Sequence, residues 1–79
     1  KMGNQQRRAL EVLQELYRTQ RQNLEDAGHD TNAARVTMED WQEAMQTICE
    51  DRGYRNRIRR ALLDGDHVRV ENGFVYPTA

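Results

Sequence analysis

Five arginines, Arg52, Arg55, Arg57, Arg59 and Arg60, fall within nine residues of a 79-residue chain whose formal net charge is only −1. A guanidinium is always charged and offers its donors in a rigid fork. That suits it to phosphate oxygens and to paired acceptors such as O6 and N7 of guanine. Asn56, in their midst, carries a donor and an acceptor on one amide, the combination that matches adenine. The chemistry this stretch offers is recognition of a polyanion rather than the making or breaking of a bond.

The near-zero total charge conceals two opposed blocks. Residues 27–51 hold Arg35 alone against Asp30, Glu39, Asp40, Glu43, Glu50 and Asp51, whereas residues 52–60 hold the five arginines and no acid. Segmental charge is the informative quantity. One reading has the arginines pairing with the neighbouring acids. Such surface pairs are each worth less than about 1 kcal/mol, too little to keep a phosphate backbone from competing.

Other chemistry finds no support. His29 and His67 are too few and too far apart to build a metal site with the lone Cys49. No cofactor is implied. Cys49 reads as a small buried hydrophobe, and a single cysteine permits no internal disulfide, which suits a reducing, cytoplasmic compartment. The acids sit at expected helix starts and on exposed faces, so the chain is not expected to be an enzyme. Met38, Trp41, Met45 and Ile48 recur at helical spacing and read as core rather than as a ligand pocket.

Four elements must position the basic stretch. Ala9, Leu10, Leu13, Leu16, Tyr17 and Leu24 mark one stripe of a long amphipathic helix from Gln5 to about Asp26, with Asn4 as its cap and Gly28 as its stop. Its polar extension after Tyr17 is expected either to pack on another subunit or domain or to fray in solvent. "GHDTNAAR", residues 28–35, reads as a loop. "VTMEDW" then starts a second helix that runs to about Cys49. Thr37 caps it, Asp40 completes an approximate capping box, and Val36 serves as a hydrophobic staple or a single-residue strand.

After the turn "EDRG" a third helix spans Tyr54 to Leu63, burying Tyr54, Ile58, Ala61 and Leu62, and Gly65 ends it. At about 100° per residue, Asn56 and Arg60 lie opposite that stripe, Arg52 and Arg59 beside them, and Arg55 and Arg57 flank it. Val68 and Val70, then Asn72-Gly73, then Phe74-Val75-Tyr76 predict a two-stranded hairpin, because both turn residues tolerate positive φ. Pro77 closes the second strand.

Helix, turn, Arg-rich helix and hairpin over "VTMEDWQEAMQTICEDRGYRNRIRRALLDGDHVRVENGFVYP", residues 36–77, resemble the winged helix-turn-helix family. "RRALLDGDHVRVENGFVY" is similar to the end of a recognition helix running into a wing. A mainly α domain of three helices with a two-stranded wing follows from the resemblance, with the outer face of the third helix presented to the DNA major groove. The implied DNA contacts are Arg52, Arg55, Asn56, Arg57, Arg59 and Arg60, joined from the hairpin by Arg69 and, as a further candidate, His67. A fainter resemblance runs to winged-helix modules at the C-terminal end of RecA-like replication ATPases and primases of phages, plasmids and mobile elements. The chain itself holds no GxxxxGK[ST].

The resemblance implies a DNA-binding module of a larger replication or regulatory protein. The rival expectation is a protein-interaction module that uses the acidic second and basic third helices toward other domains or subunits of the parent. The acids of helix two and the acid at the wing tip, Glu71, predict weak, salt-sensitive binding by the isolated domain. Residues 1–4 are expected to be disordered or vector-derived, 5–77 one domain and 78–79 a tail. The ends have the look of an excised fragment. No apolar run approaches the roughly 20 residues that cross a bilayer.

Overall fold

Spacings of three and four among Ala9, Leu10, Leu13 and Tyr17 put all four on one buried stripe of α1, Asn4–Asp26, in the computed structural model, which describes residues 2–78. Of the expected lead-in and tail, Lys1 and Ala79 lie outside the described residues. Met2 packs partly against the core, and Asn4 is already helical. The cap is therefore Gly3, which forms no side-chain capping bond, rather than Asn4. At the other end Gly28 takes φ +78°, its N–H donates to the Glu25 carbonyl, and the His29 N–H donates to the Leu24 carbonyl. Those two bonds form a Schellman stop, and glycine enters its left-handed position without steric penalty.

The polar extension of α1 neither frays nor stands free. Residues 28–35 fold back along it, with a 3₁₀ turn at Thr31–Ala33. The Gln20 side-chain amide grips the backbone of Arg35 at both its carbonyl and its N–H. Leu24 and Ala34 add apolar contact. A polar helix face gains a partner here through backbone groups, which composition does not reveal.

The second helix, α2, spans Met38–Ala44 and then tightens into a 3₁₀ turn at Met45–Thr47 instead of running on as α-helix to Cys49. Thr47 Oγ1 donates to the Ala44 carbonyl at 3.0 Å, the kind of local bond by which threonine competes with a regular helix. Thr37 caps as expected, its hydroxyl oxygen accepting from the Asp40 N–H at 3.0 Å. Trp41 is wholly buried and its indole N–H donates to the Ala9 carbonyl at 3.0 Å, which locks α2 to α1.

The third helix, α3, runs Arg52–Asp64, two residues earlier than expected, because the Asp51 side chain caps it by accepting from the Gly53 N–H at 2.9 Å. Strands β1, Val68–Glu71, and β2, Phe74–Pro77, pair antiparallel with Glu71 opposite Phe74. The two-residue turn has φ +54° at Asn72 and +83° at Gly73, as a type I′ hairpin requires. The hairpin is fastened to the helices by a short antiparallel bridge and by a tyrosine hydroxyl. Thr37 bridges Phe74 through the Val75 N–H donating to the Val36 carbonyl at 2.9 Å and the Met38 N–H donating to the Gly73 carbonyl at 3.4 Å, and the Tyr17 hydroxyl donates to the Val75 carbonyl at 2.6 Å. Val36 thus makes a strand-like contact. Leu13, Trp41, Leu62 and Val75, one from each of α1, α2, α3 and β2, meet at zero exposure in the centre.

Candidate nucleic-acid interface

Ile58 and Leu62 anchor α3 to the core, and that orientation decides where each neighbouring side chain points. Turning about 100° per residue, Asn56 and Arg60 come out on the opposite face with Arg52 and Arg57 to either side. All four are exposed. Among the described residues, none of the three guanidinium groups has a carboxylate within 4.0 Å. Among the described residues the ion pairs are Arg18–Glu15 and Arg69–Glu71. The acidic block is nevertheless close, since Glu39, Gln42, Glu43 and Gln46 of α2 and its 3₁₀ extension share a groove with Arg52.

Arg55 and Tyr54 exchange the positions expected of them. Tyr54 is 40% exposed, and Arg55 is 7% exposed inside the domain. Arg55 Nη1 donates to the carbonyls of Cys49 and Glu50 at 2.9 and 2.7 Å. These carbonyls belong to the tight turn between the second and third helices, where no following helix turn satisfies them. A guanidinium can serve both while its aliphatic stem packs against the core. Arg55 therefore joins two helices and is not presented with the other arginines. Arg59 is half-buried, its Nε enclosed without a partner among the described residues.

Asn56 is not free either. The Gln42 side-chain N–H of α2 donates to Asn56 Oδ1 at 2.8 Å, which ties the amide on the exposed face of α3 to α2. Gln42 is a residue that sequence reasoning passed over. Its position beside Trp41 carried no chemical signature, and the contact spans fourteen residues.

Both hairpin candidates have neighbours within the domain. Arg69 lies 4.7 Å over the Tyr76 ring, its cross-strand partner, and its Nε is 3.3 Å from Glu71. His67 is half-buried and its ring lies so near Gly65 that a Cβ there would come within 2.9 Å of it. Among the described residues no group of three or more His, Cys, Asp or Glu could hold a metal, and no helix is long and apolar enough to cross a membrane.

The buried hydroxyl of Tyr17 has its pKa raised, mainly because burial disfavours the phenolate. The Val36 N–H, which donates to that oxygen at 3.3 Å, works in the opposite direction. Tyr17 is a fastening of the fold, remote in role from the α3 face.

Comparison with protein-family models, with curated proteins and with solved structures finds no match to this chain.

Proposed function

We propose that the domain is a winged helix-turn-helix module that binds duplex DNA through the outer face of α3, within a larger replication or regulatory protein. The observation that carries the reading is the absence of carboxylate partners, among the described residues, for Arg52, Arg57 and Arg60, all exposed on one helix. Arginines in that state retain their donors for phosphate oxygens and base edges. The order of three helices with a type I′ hairpin pinned against them supports the fold half of the reading. Arg52, Arg57 and Arg60 carry the charge, Asn56 lies between them, Arg59 supports one edge, and Arg55 builds the helix pair that holds them.

A protein partner is the competing reading, and the groove shared by Glu39, Glu43 and Arg52 is what favours it. Amide chemical shifts on titration with a duplex separate the two. Perturbation confined to residues 52–60, weakening as salt is added, supports DNA binding. Unmoved amides at low ionic strength overturn it and leave the bipolar groove as the interaction surface.

A further inference from the structure

The outer edge of β1 is complementary to a second copy of itself. We propose that two copies of the chain join along this edge, β1 against β1 in antiparallel order, with Val70 of each copy opposite Val70 of the other. The two hairpins then form one four-stranded sheet. The proposal concerns a surface apart from the outer face of α3, and it stands whether or not that face binds DNA.

Register decides which backbone groups are on offer. In a two-residue hairpin the pair beside the turn, Glu71 with Phe74, exchanges hydrogen bonds, and so does the next pair but one, Arg69 with Tyr76. The ladder continues in step where the Thr78 N–H donates to the His67 carbonyl at 3.0 Å. The N–H and C=O of Val70 therefore point away from β2, and neither has a partner among the described residues. The outer edge of β2 is covered instead, by the Val36 carbonyl and the Tyr17 hydroxyl, both bonded to Val75. Exposed edges are usually blunted by a lysine, a proline or a bulge. β1, VRVE in regular register, has none of these. Val70 is 43% exposed, while Val75 across from it is buried.

About a twofold axis at Val70, the two copies of that residue exchange a pair of N–H···O=C bonds and bring their side chains together. One step to either side, Arg69 of each copy faces Glu71 of the other. Such a non-hydrogen-bonded pair has Cα atoms about 4.5 Å apart, where opposite charges attract. Arg69 and Glu71 already lie 3.3 Å apart within one chain, so each keeps a partner of opposite sign. Residues 69–73 are exposed and Val68 is buried, which puts the body of the domain toward the Val68 end. Antiparallel pairing sends the two bodies to opposite ends of the joined strands. A four-residue edge buries far less than the roughly 1,200 Å² of a stable complex, so the isolated domain should associate with a Kd of about 1 mM. Two copies tethered in one assembly reach that concentration locally.

Amide spectra of the 79-residue chain test this without DNA. From roughly 20 µM to roughly 2 mM, the span that brackets such a Kd, the amides of residues 68–72 should shift with concentration. At the high end an NOE should join Arg69 Hα to Glu71 Hα. Those residues are roughly 6.6 Å apart along one strand, too far for a strong cross-peak, but they face each other directly across the paired edges. Arg69→Glu and Glu71→Arg each set like charges opposite one another twice, so each should weaken association at least about tenfold and leave the amides still on dilution. Both side chains are exposed, and unchanged amide shifts in α1 and α3 verify that the variants fold. An equimolar mixture of the two variants puts opposite charges at both positions and should recover the shifts in β1. Wild-type amides of β1 that ignore concentration, a missing NOE, single variants that associate like wild type, or a silent mixture each overturn the proposal. Concentration-dependent shifts centred on a helix overturn it too, because they place self-association elsewhere.

Discussion

Two adjacent-looking arginines, Arg55 and Arg57, should fail in different ways when replaced. Binding that depends on neutralising phosphates weakens with salt because counterions are released, with a slope of log K against log salt near −0.9 per phosphate contact on B-DNA. Arg52, Arg57 and Arg60 are the exposed arginines of α3. Three contacts give a slope of about −2.7, so affinity should fall roughly 40-fold between 50 and 200 mM salt. Arg57→Gln should bring the slope to about −1.8 and the fall to roughly 12-fold, with little change in melting temperature, since the side chain makes no hydrogen bond or ion pair among the described residues.

Arg55→Met should do the reverse. It strands the carbonyls of Cys49 and Glu50 that Nη1 now satisfies. Losing these charge-assisted bonds costs about 2 kcal/mol, which in a domain of this size lowers the melting temperature by roughly 8–16 °C. Below its transition the variant should keep the wild-type salt slope. Anisotropy titrations at four salt concentrations, alongside thermal melts, decide the matter. An Arg55→Met slope flattened as much as that of Arg57→Gln would refute the assignment of Arg55 to the interior. A wild-type slope shallower than −1 would refute the outward cluster as a phosphate contact.

Three shorter predictions follow from the same geometry. Glu39→Gln and Glu43→Gln remove carboxylates beside Arg52; a carboxylate about 8 Å from a phosphate in water repels it by roughly 0.5 kcal/mol, so each variant should tighten duplex binding about twofold at low salt. Tyr17 holds its proton more tightly folded than unfolded because its pKa is raised; its contribution is fully present below pH 10 and is lost as pH rises beyond that, so stability measured by denaturant unfolding should fall more steeply above pH 10 in wild type than in Tyr17→Phe, and the gap between them should narrow. That variant should also start about 2 kcal/mol less stable at pH 7, because it leaves the Val75 carbonyl and the Val36 N–H unpaired. Gly73→Ala, at φ +83° with open space around it, should cost about 1 kcal/mol of backbone strain alone, read as a melting temperature roughly 4–8 °C lower.

Most of the fold was legible because its signals are local. The stripe of α1, the Thr37 cap, the Gly65 stop and the Asn72-Gly73 turn each depend on residues within a few positions of one another. What was not legible depends on contacts between distant segments. Gln20 gripping Arg35 holds against its own chain a helix end expected to pack on another subunit or domain or to fray, and the 3₁₀ tightening at Met45–Thr47 shortened α2 without disturbing its apolar spacing. Periodicity constrains which face is buried but says nothing of backbone groups that must be satisfied across fifteen residues.

The candidate site shows the same division more sharply. Helical spacing alone put Asn56 and Arg60 outermost, as observed, because Ile58 and Leu62 fix the opposite face. It put Tyr54 in the buried stripe and Arg55 on its flank, and the structure reverses the two. Hydrophobicity favoured Tyr54. The deciding quantity was the pair of turn carbonyls at Cys49 and Glu50, which a tyrosine cannot satisfy doubly and an arginine can. Count of arginines therefore overstates the charge available to a partner. Five in sequence become three fully outward, one half-buried and one enclosed, and only the outward three should register in the salt dependence of binding.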